Sequence, residues 1–281
     1  MCNFGIHHSK YMKDIKLVAT DMDGTLLNSK GELNPAIYSI LATLKAHGIR
    51  FVAASGRQYF NLQKQFEPVK DDVIFVAENG SYVVYQNQEL YVQPLQREIV
   101  DSLILTSRPI PNAYPIFCGK KKAYVENTEP AFWAQLTKYF ERYEVVENLL
   151  EVVDDECLKV SICDLDGSAA NSYPHFKAWE DAIKVKVSAG IWLDLSHNLA
   201  NKGKAMNVLQ QLHGISVAET MAFGDYLNDL EMMQQAYFSY AMDNAHPDIK
   251  EAARFRAESN DENGVAKVLE QLIAELTMVK N

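Results

Sequence analysis

The chain has 281 residues, enough for one large or two ordinary domains, and with 48% apolar and 23% charged residues it has the balance of a globular protein that buries a core without staples. Its 27 basic and 37 acidic residues give a net charge of −10, which argues against non-specific binding to nucleic acid and to anionic membrane surfaces. The four cysteines (Cys2, Cys118, Cys157, Cys163) form no C-x-x-C pair, and no apolar run is long enough to cross a bilayer. A cytoplasmic protein with reduced thiols is expected.

Met1–Met12 lacks the apolar core and cleavage signal of a secretory leader and reads as a polar extension, with the fold starting near Lys13. Lys16–Thr20 is a short apolar strand that stops at Asp-Met-Asp-Gly. Asn34 and Pro35 open a helix whose apolar residues Ile37, Ile40, Leu41 and Leu44 keep the i, i+3, i+4, i+7 spacing, and Gly48 closes it. Arg50–Ser55 predicts a second strand, Tyr59–Phe66 a helix, and Val73–Ala77 a third strand. Strand and helix alternating over short links predict a parallel sheet. Ser81–Gln93 reads as a hairpin around Gln86-Asn87-Gln88.

Beyond it the pattern becomes α+β, with a helix over Ala131–Tyr143, strands at Leu158–Cys163 and Lys184–Val187, and prolines at Pro109, Pro111 and Pro115. The α/β pattern resumes near Asn201: a helix over Lys204–Leu212 stopped by Gly214, a strand over Thr220–Phe223 ending at Gly224-Asp225, and a helix over Leu227–Ala236. A strand at Phe238–Met242 and helices at Pro247–Phe255 and Val265–Leu276 complete it. The expected architecture is an α/β core built from residues 13–85 and 190–281, interrupted by an inserted α+β cap over residues 86–189.

Four polar turns carry the chemistry. Asp21-Met-Asp-Gly-Thr25 places two carboxylates two apart just past a strand, with a glycine for the turn and a hydroxyl after it. An EF-hand also begins D-x-D, and Glu32 falls at loop position twelve, but Leu26 occupies the obligatory glycine position and a strand precedes the loop where a helix is required. Gly224-Asp-Tyr-Leu-Asn-Asp229 gathers Asp225, Asn228 and Asp229 at one helix start, where a single such residue suffices for capping. Ser55-Gly56-Arg57 offers a hydroxyl and backbone N–H groups to an oxyanion. Lys202-Gly203 puts a cation at a helix start, the end that favours anions. Carboxylates suit Mg²⁺, and the hydroxyl, amides and lysine suit a phosphoryl group.

In that order these residues resemble the four motifs of the haloacid dehalogenase superfamily. The long insertion, Glu78-Asn-Gly80, Asn244-Ala245 and Asn260-(x3)-Gly264-Val265 resemble its Cof-type phosphatase branch, which carries a large αβ cap. Tyr226 and Asp243 depart from that pattern; small or polar residues and Gly, respectively, are usual there. The resemblance implies a Rossmann-like core with helices on both faces and a Mg²⁺-dependent phosphatase acting on a small phosphorylated metabolite such as a sugar phosphate. It implies Asp21 as nucleophile and metal ligand, and Asp23 as general acid and base whose carbonyl also ligates the metal. Asp225 and Asp229 complete the metal set, Asn228 and Asp229 orient metal waters and Lys202, and Thr25, Ser55, Gly56 and Lys202 hold the phosphoryl group. Arg57 is expected to face the substrate. In the cap, Lys120, Lys121, Lys122, Tyr124, Asp164, Asp166 and His175 are the polar candidates for substrate contact. A phosphomutase on the same two aspartates, and a ligand-binding protein on an inactive scaffold, remain the competing readings.

Overall fold

The computed structural model describes residues 12–278. The chain begins with β1 (Leu17–Asp21), α1 (Ala36–Ala46), β2 (Arg50–Ala54), α2 (Tyr59–Gln65), β3 (Val73–Ala77), and a hairpin of β4 (Tyr82–Tyr85) and β5 (Gln88–Val92). β1 and β3 are buried at every position and β2 at all but Arg50, as strands covered on both faces must be. Asn34 Oδ1 accepts the Ala36 N–H at 3.0 Å where α1 starts, and α1 buries Ile37, Ile40, Leu41 and Leu44 along one face. The hairpin turns on Gln86 and Asn87, both at positive φ, the backbone that a two-residue connection between twisted strands requires.

The insert follows: α3 (Arg97–Ser107), β6 (Ala113–Gly119), β7 (Ala123–Val125), α4 (Pro130–Tyr139), β8 (Tyr143–Val145), β9 (Cys157–Asp164), α5 (Tyr173–Phe176), β10 (Lys184–Ala189) and β11 (Trp192–Ser196). Among the described residues its strands form a sheet of their own, in the order β10-β11-β9-β6-β7-β8. Pro115 sits inside β6 because β7 pairs only from Ile116 onward, so the missing N–H breaks no ladder on that side. Two apolar clusters, one around Leu103, Phe117 and Phe176 and one around Phe132, Leu136 and Trp192, pack the insert separately from the core.

The chain then returns through α6 (Lys202–His213), β12 (Thr220–Gly224), α7 (Leu230–Gln234), β13 (Phe238–Met242), α8 (Pro247–Ala252), β14 (Phe255–Ala257) and α9 (Gly264–Met278). The core sheet runs β14-β13-β12-β1-β2-β3-β4-β5, parallel from β14 to β3 and antiparallel at the hairpin. From β1 the winding proceeds outward to β3, and from β12 outward to β14 in the other direction. Right-handed crossovers in opposite directions put helices on both faces and open a crevice where the order reverses, at the C-terminal ends of β1 and β12. Those ends carry Asp21 and, one residue past β12, Asp225.

Several expectations shift. β5 pairs with β4 in the core sheet, so the core runs past residue 85 to Val92. β11 pairs with β9 and β10 in the insert sheet, so the insert reaches Ser196 rather than 189. A lone apolar strand carries no mark of the sheet it joins; only register decides. The Pro247–Phe255 segment divides into α8 and the edge strand β14, and the Ala131–Tyr143 helix stops at Tyr139. Met12 is buried in the core instead of ending a polar extension, and residues 1–11 of that extension lie outside the described residues.

Candidate active site

The turn after β1 is shaped to reach the turn after β12. Gly24 has φ of 80°, and a Cβ there would run into the Asp225 carboxylate. Thr25 Oγ1 donates to Asp225 Oδ1 at 2.8 Å, tying the two turns across the switch point. Asn244 Nδ2 donates to the Gly24 carbonyl at 2.7 Å, and Asn260 Nδ2 to the Leu27 carbonyl at 2.9 Å, so both ends of the loop are held by the C-terminal half of the core.

Beneath the turns lies a buried ionic cluster. The Lys202 ammonium is wholly buried and donates to Asp21 Oδ1 and, at 2.6 Å, to Asp229 Oδ1. The other oxygen of Asp229 accepts the N–H groups of Asp225 (3.0 Å) and Tyr226 (3.2 Å). α6 can bring Lys202 this deep because Gly80, at φ of 99°, has no Cβ to strike the Asn201 carbonyl. Burial alone would lower the Lys202 pKa, but Asp21 and Asp229 outweigh it and hold the ammonium above its ordinary range. Burial pushes the Asp21 carboxyl well up, and Asp229 and Asp225 add to this against Lys202. Asp225 is likewise pushed up by burial, to about 6, against the Thr25 hydrogen bond.

Oxygens of Asp21, Asp225 and Asp229 lie within 4.8 Å of one another, a group able to hold a metal ion. Three carboxylates face one ammonium, leaving two negative charges unbalanced in a mostly buried place. An all-oxygen donor set with that surplus fits a hard divalent cation. Asp229 already accepts three hydrogen bonds, so its geometry suits holding Lys202 and the Asp225 turn. The Asp23 side chain lies outside the carboxylate group. Arg57 grips it with two hydrogen bonds, Nε to Oδ2 at 2.8 Å and Nη2 to Oδ1 at 2.5 Å, and so turns to Asp23 as well as to the open space expected of it.

Above the cluster is a cavity of about 230 Å³ between core and insert. Its core wall holds Asp23, Ser55, Gly56, Arg57, Asn79, Tyr226 and Asn228. Ser55 Oγ accepts the Arg57 N–H at 3.2 Å, which leaves its own proton to donate. Asn79 N–H donates to the Ser55 carbonyl at 2.9 Å, and Asn228 Nδ2 to Asn79 Oδ1 at 3.1 Å. The side chain of Tyr226 is half exposed, packing edge-on against His246 at the cavity rim. The four motifs therefore converge: Asp21, Thr25, Lys202, Asp225 and Asp229 are tied into one bonded cluster, and Asp23, Ser55, Gly56, Arg57 and Asn228 line the cavity next to it.

The insert wall differs from expectation. Lys120, Lys121, Lys122, Tyr124, Asp164, Asp166 and His175 do not line the cavity. The three lysines bind nearby acceptors: Lys120 pairs with Glu89 and Glu156, Lys121 with Asp154, and Lys122 with Glu144. The wall is instead made by Lys159 and Ser161 of β9, Lys186 and Ser188 of β10, Trp192 and Asp194 of β11, and Tyr139 and Phe140. The signal was present: polar residues recur every second position on strands otherwise apolar, the mark of one face turned to something polar.

Glu78 is the other residue that position in the sequence did not explain. It is buried, sits at φ of 49°, and places Oε2 2.7 Å from Lys159 Nζ across the junction of core and insert. A non-glycine residue at positive φ costs about 1–3 kcal/mol and persists where its surroundings hold it. Lys159 also donates to the Gly56 carbonyl at 3.3 Å. Gln58 adds a second clasp: its Nε2 donates to the Arg142 carbonyl at 2.9 Å, and its Oε1 accepts the N–H groups of Glu141 and Arg142, both at 3.1 Å. The Arg142 guanidinium lies 3.7 Å from the centre of the Phe60 ring.

Comparison with known proteins agrees with this arrangement. The profile of haloacid dehalogenase-like hydrolases matches residues 18–269. The chain is 33% identical over 262 residues to a 5-amino-6-(5-phospho-D-ribitylamino)uracil phosphatase of Escherichia coli, covering 92% of this chain and 96% of that protein. A protein of the same name from Bacillus subtilis is 27% identical over 256 residues, 91% and 95% of the two chains. A crystal structure of a Streptococcus mutans protein superposes with a TM-score of 0.81 at 32% identity, over 92% of this chain and 99% of that one. The chain belongs to the haloacid dehalogenase-like hydrolase family, in its Cof-type branch, and is a phosphatase.

Proposed function

We propose that the protein is a Mg²⁺-dependent phosphatase that hydrolyses small organic phosphate monoesters, sugar phosphates or similar metabolites, through an aspartyl-phosphate on Asp21. The observation that carries this reading is the cluster at the switch point: a buried carboxylate on β1, held by a buried lysine, beside two further carboxylates and next to a cavity that Asp23, Ser55, Arg57 and Asn228 help to line. Asp21, Asp225 and the Asp23 carbonyl are the residues that would hold Mg²⁺, which when bound neutralises their surplus charge and that of the phosphoryl oxygens. In this reading the insert is a cap that closes the cavity and excludes bulk water.

An Asp21 oxygen attacks phosphorus, and the bond from phosphorus to the ester oxygen breaks. Asp23 gives its proton to the departing alkoxide. It then takes a proton from the water that attacks the aspartyl-phosphate, and inorganic phosphate leaves with Asp21 restored. Lys202, Ser55 and the backbone amides near Gly56 hold the phosphoryl oxygens as charge shifts onto them. Asp229 fixes Lys202, and Asn228 fixes the Ser55 turn through Asn79. The Escherichia coli relative is named for a phosphatase activity on 5-amino-6-(5-phospho-D-ribitylamino)uracil, a phosphate monoester of the proposed class. Buried, unpaired Cys118, Cys157 and Cys163 support a cytoplasmic setting.

The test is release of inorganic phosphate from an aryl phosphate. Turnover should require Mg²⁺, stop with EDTA, return with added Mg²⁺, and vanish in Asp21→Asn. Activity that survives chelation or the substitution overturns the reading.

A further inference from the structure

The insert wall holds an ammonium and a carboxylate oxygen with no partner among the described residues. Strand pairing sets Lys186 opposite Asp194 and Asp194 opposite Ser161, so the three lie in one row across the face of β10, β11 and β9 that lines the cavity. Ser161 Oγ donates to Asp194 Oδ1 at 2.5 Å, and Lys159 Nζ lies 3.5 Å from the same oxygen. Among the described residues Asp194 Oδ2 accepts no hydrogen bond, and half-buried Lys186 has neither a hydrogen bond nor an ion pair. A partly buried ammonium and carboxylate oxygen without partners, both in a cavity wall, are groups awaiting a ligand. Beside them Trp192 is packed edge-on by Tyr139 at 5.4 Å and gives the wall an apolar face.

The formal charges here cancel: Lys159 and Lys186 stand against Glu78 and Asp194. A second phosphate or carboxylate on the substrate would meet the Asp194 carboxylate, and a cationic group would meet Lys186. A neutral hydroxylated group satisfies both, donating to Asp194 and accepting from Lys186. We propose that Asp194, Lys186 and the Trp192–Tyr139 face form a specificity subsite for the leaving alcohol, selecting an uncharged, polyhydroxylated group with one apolar face and rejecting substrates that carry a second anion. The inference rests on the phosphatase reading above.

The experiment compares kcat/KM, with Mg²⁺, for hexose 6-phosphate, the corresponding hexose bisphosphate and an aryl phosphate. The wild-type protein should prefer the monophosphate to the bisphosphate by about tenfold or more. In Asp194→Asn and Lys186→Met the ratio of hexose monophosphate to aryl phosphate should fall about tenfold, mostly through KM, and Asp194→Asn should also narrow the discrimination against the bisphosphate. The wild-type comparison needs no variant to fold. Equal use of mono- and bisphosphate, or ratios unchanged in both variants, would overturn the subsite and leave the phosphatase reading standing. Inertness of the wild-type protein toward all three esters would overturn the phosphatase reading and the subsite with it.

Discussion

On the core side of the cavity Asp21, Asp229 and Lys202 are buried and bonded to one another, whereas on the insert side Lys186 and one oxygen of Asp194 line the cavity without a partner among the described residues. The core cluster is built to keep atoms in place while charge moves. The insert wall is built to be completed by whatever enters. In energetic terms the first stands to lose much when one member is removed, since its neighbours are left charged in a dry place. The second stands to lose selectivity with little change in fold.

Lys202→Met breaks the first side most severely. It strips Asp21 and Asp229 of their shared ammonium, so we expect a loss of about 3–5 kcal/mol in urea denaturation and loss of phosphate release. A variant as stable as the wild-type protein would show that the cluster is not held by this lysine. Gln58→Ala tests the junction between the two sides. Three hydrogen bonds to Glu141 and Arg142 disappear, and we expect a KM raised several-fold with a stability loss of about 1–3 kcal/mol. Unchanged KM would show that the clasp does not set the cavity.

Glu219, far from both walls, gives the smallest effect. Hydrogen bonds from Lys16 and Ser216 lower its pKa to about 2. A depressed carboxylate pKa contributes stability that is present above the unfolded value, near 4.3, and is lost as pH falls toward 2. Glu219→Gln should therefore cost no more than about 1 kcal/mol at pH 7, and its stability should approach that of the wild-type protein in acid. A cost independent of pH would assign the effect to something other than this charge.

The same contrast explains which parts of the site are legible in the sequence. Asp21, Ser55, Lys202 and Asp225 each follow a strand or open a helix, so local pattern fixes where they point, and the parallel winding brings the turns together. Lys159, Lys186 and Asp194 come from strands whose sheet, register and facing side are set only by pairing. Lys120, Lys121 and Lys122 read from the sequence as candidates for substrate contact, but acids of neighbouring segments pair them off. Trp192–Ser196 falls on the core side of the boundary expected at residue 190, and its pairing with β9 is what brings Asp194 to the cavity.

The central claim is that phosphate passes through a covalent bond to Asp21. Asp23→Asn should slow the hydrolysis of that bond while an aryl phosphate, whose leaving group needs no proton, still forms it. After an acid quench during turnover, peptide mass spectrometry should find the phosphoryl group on Asp21. Phosphate release from the variant with no label on Asp21 at any quench time would contradict the account.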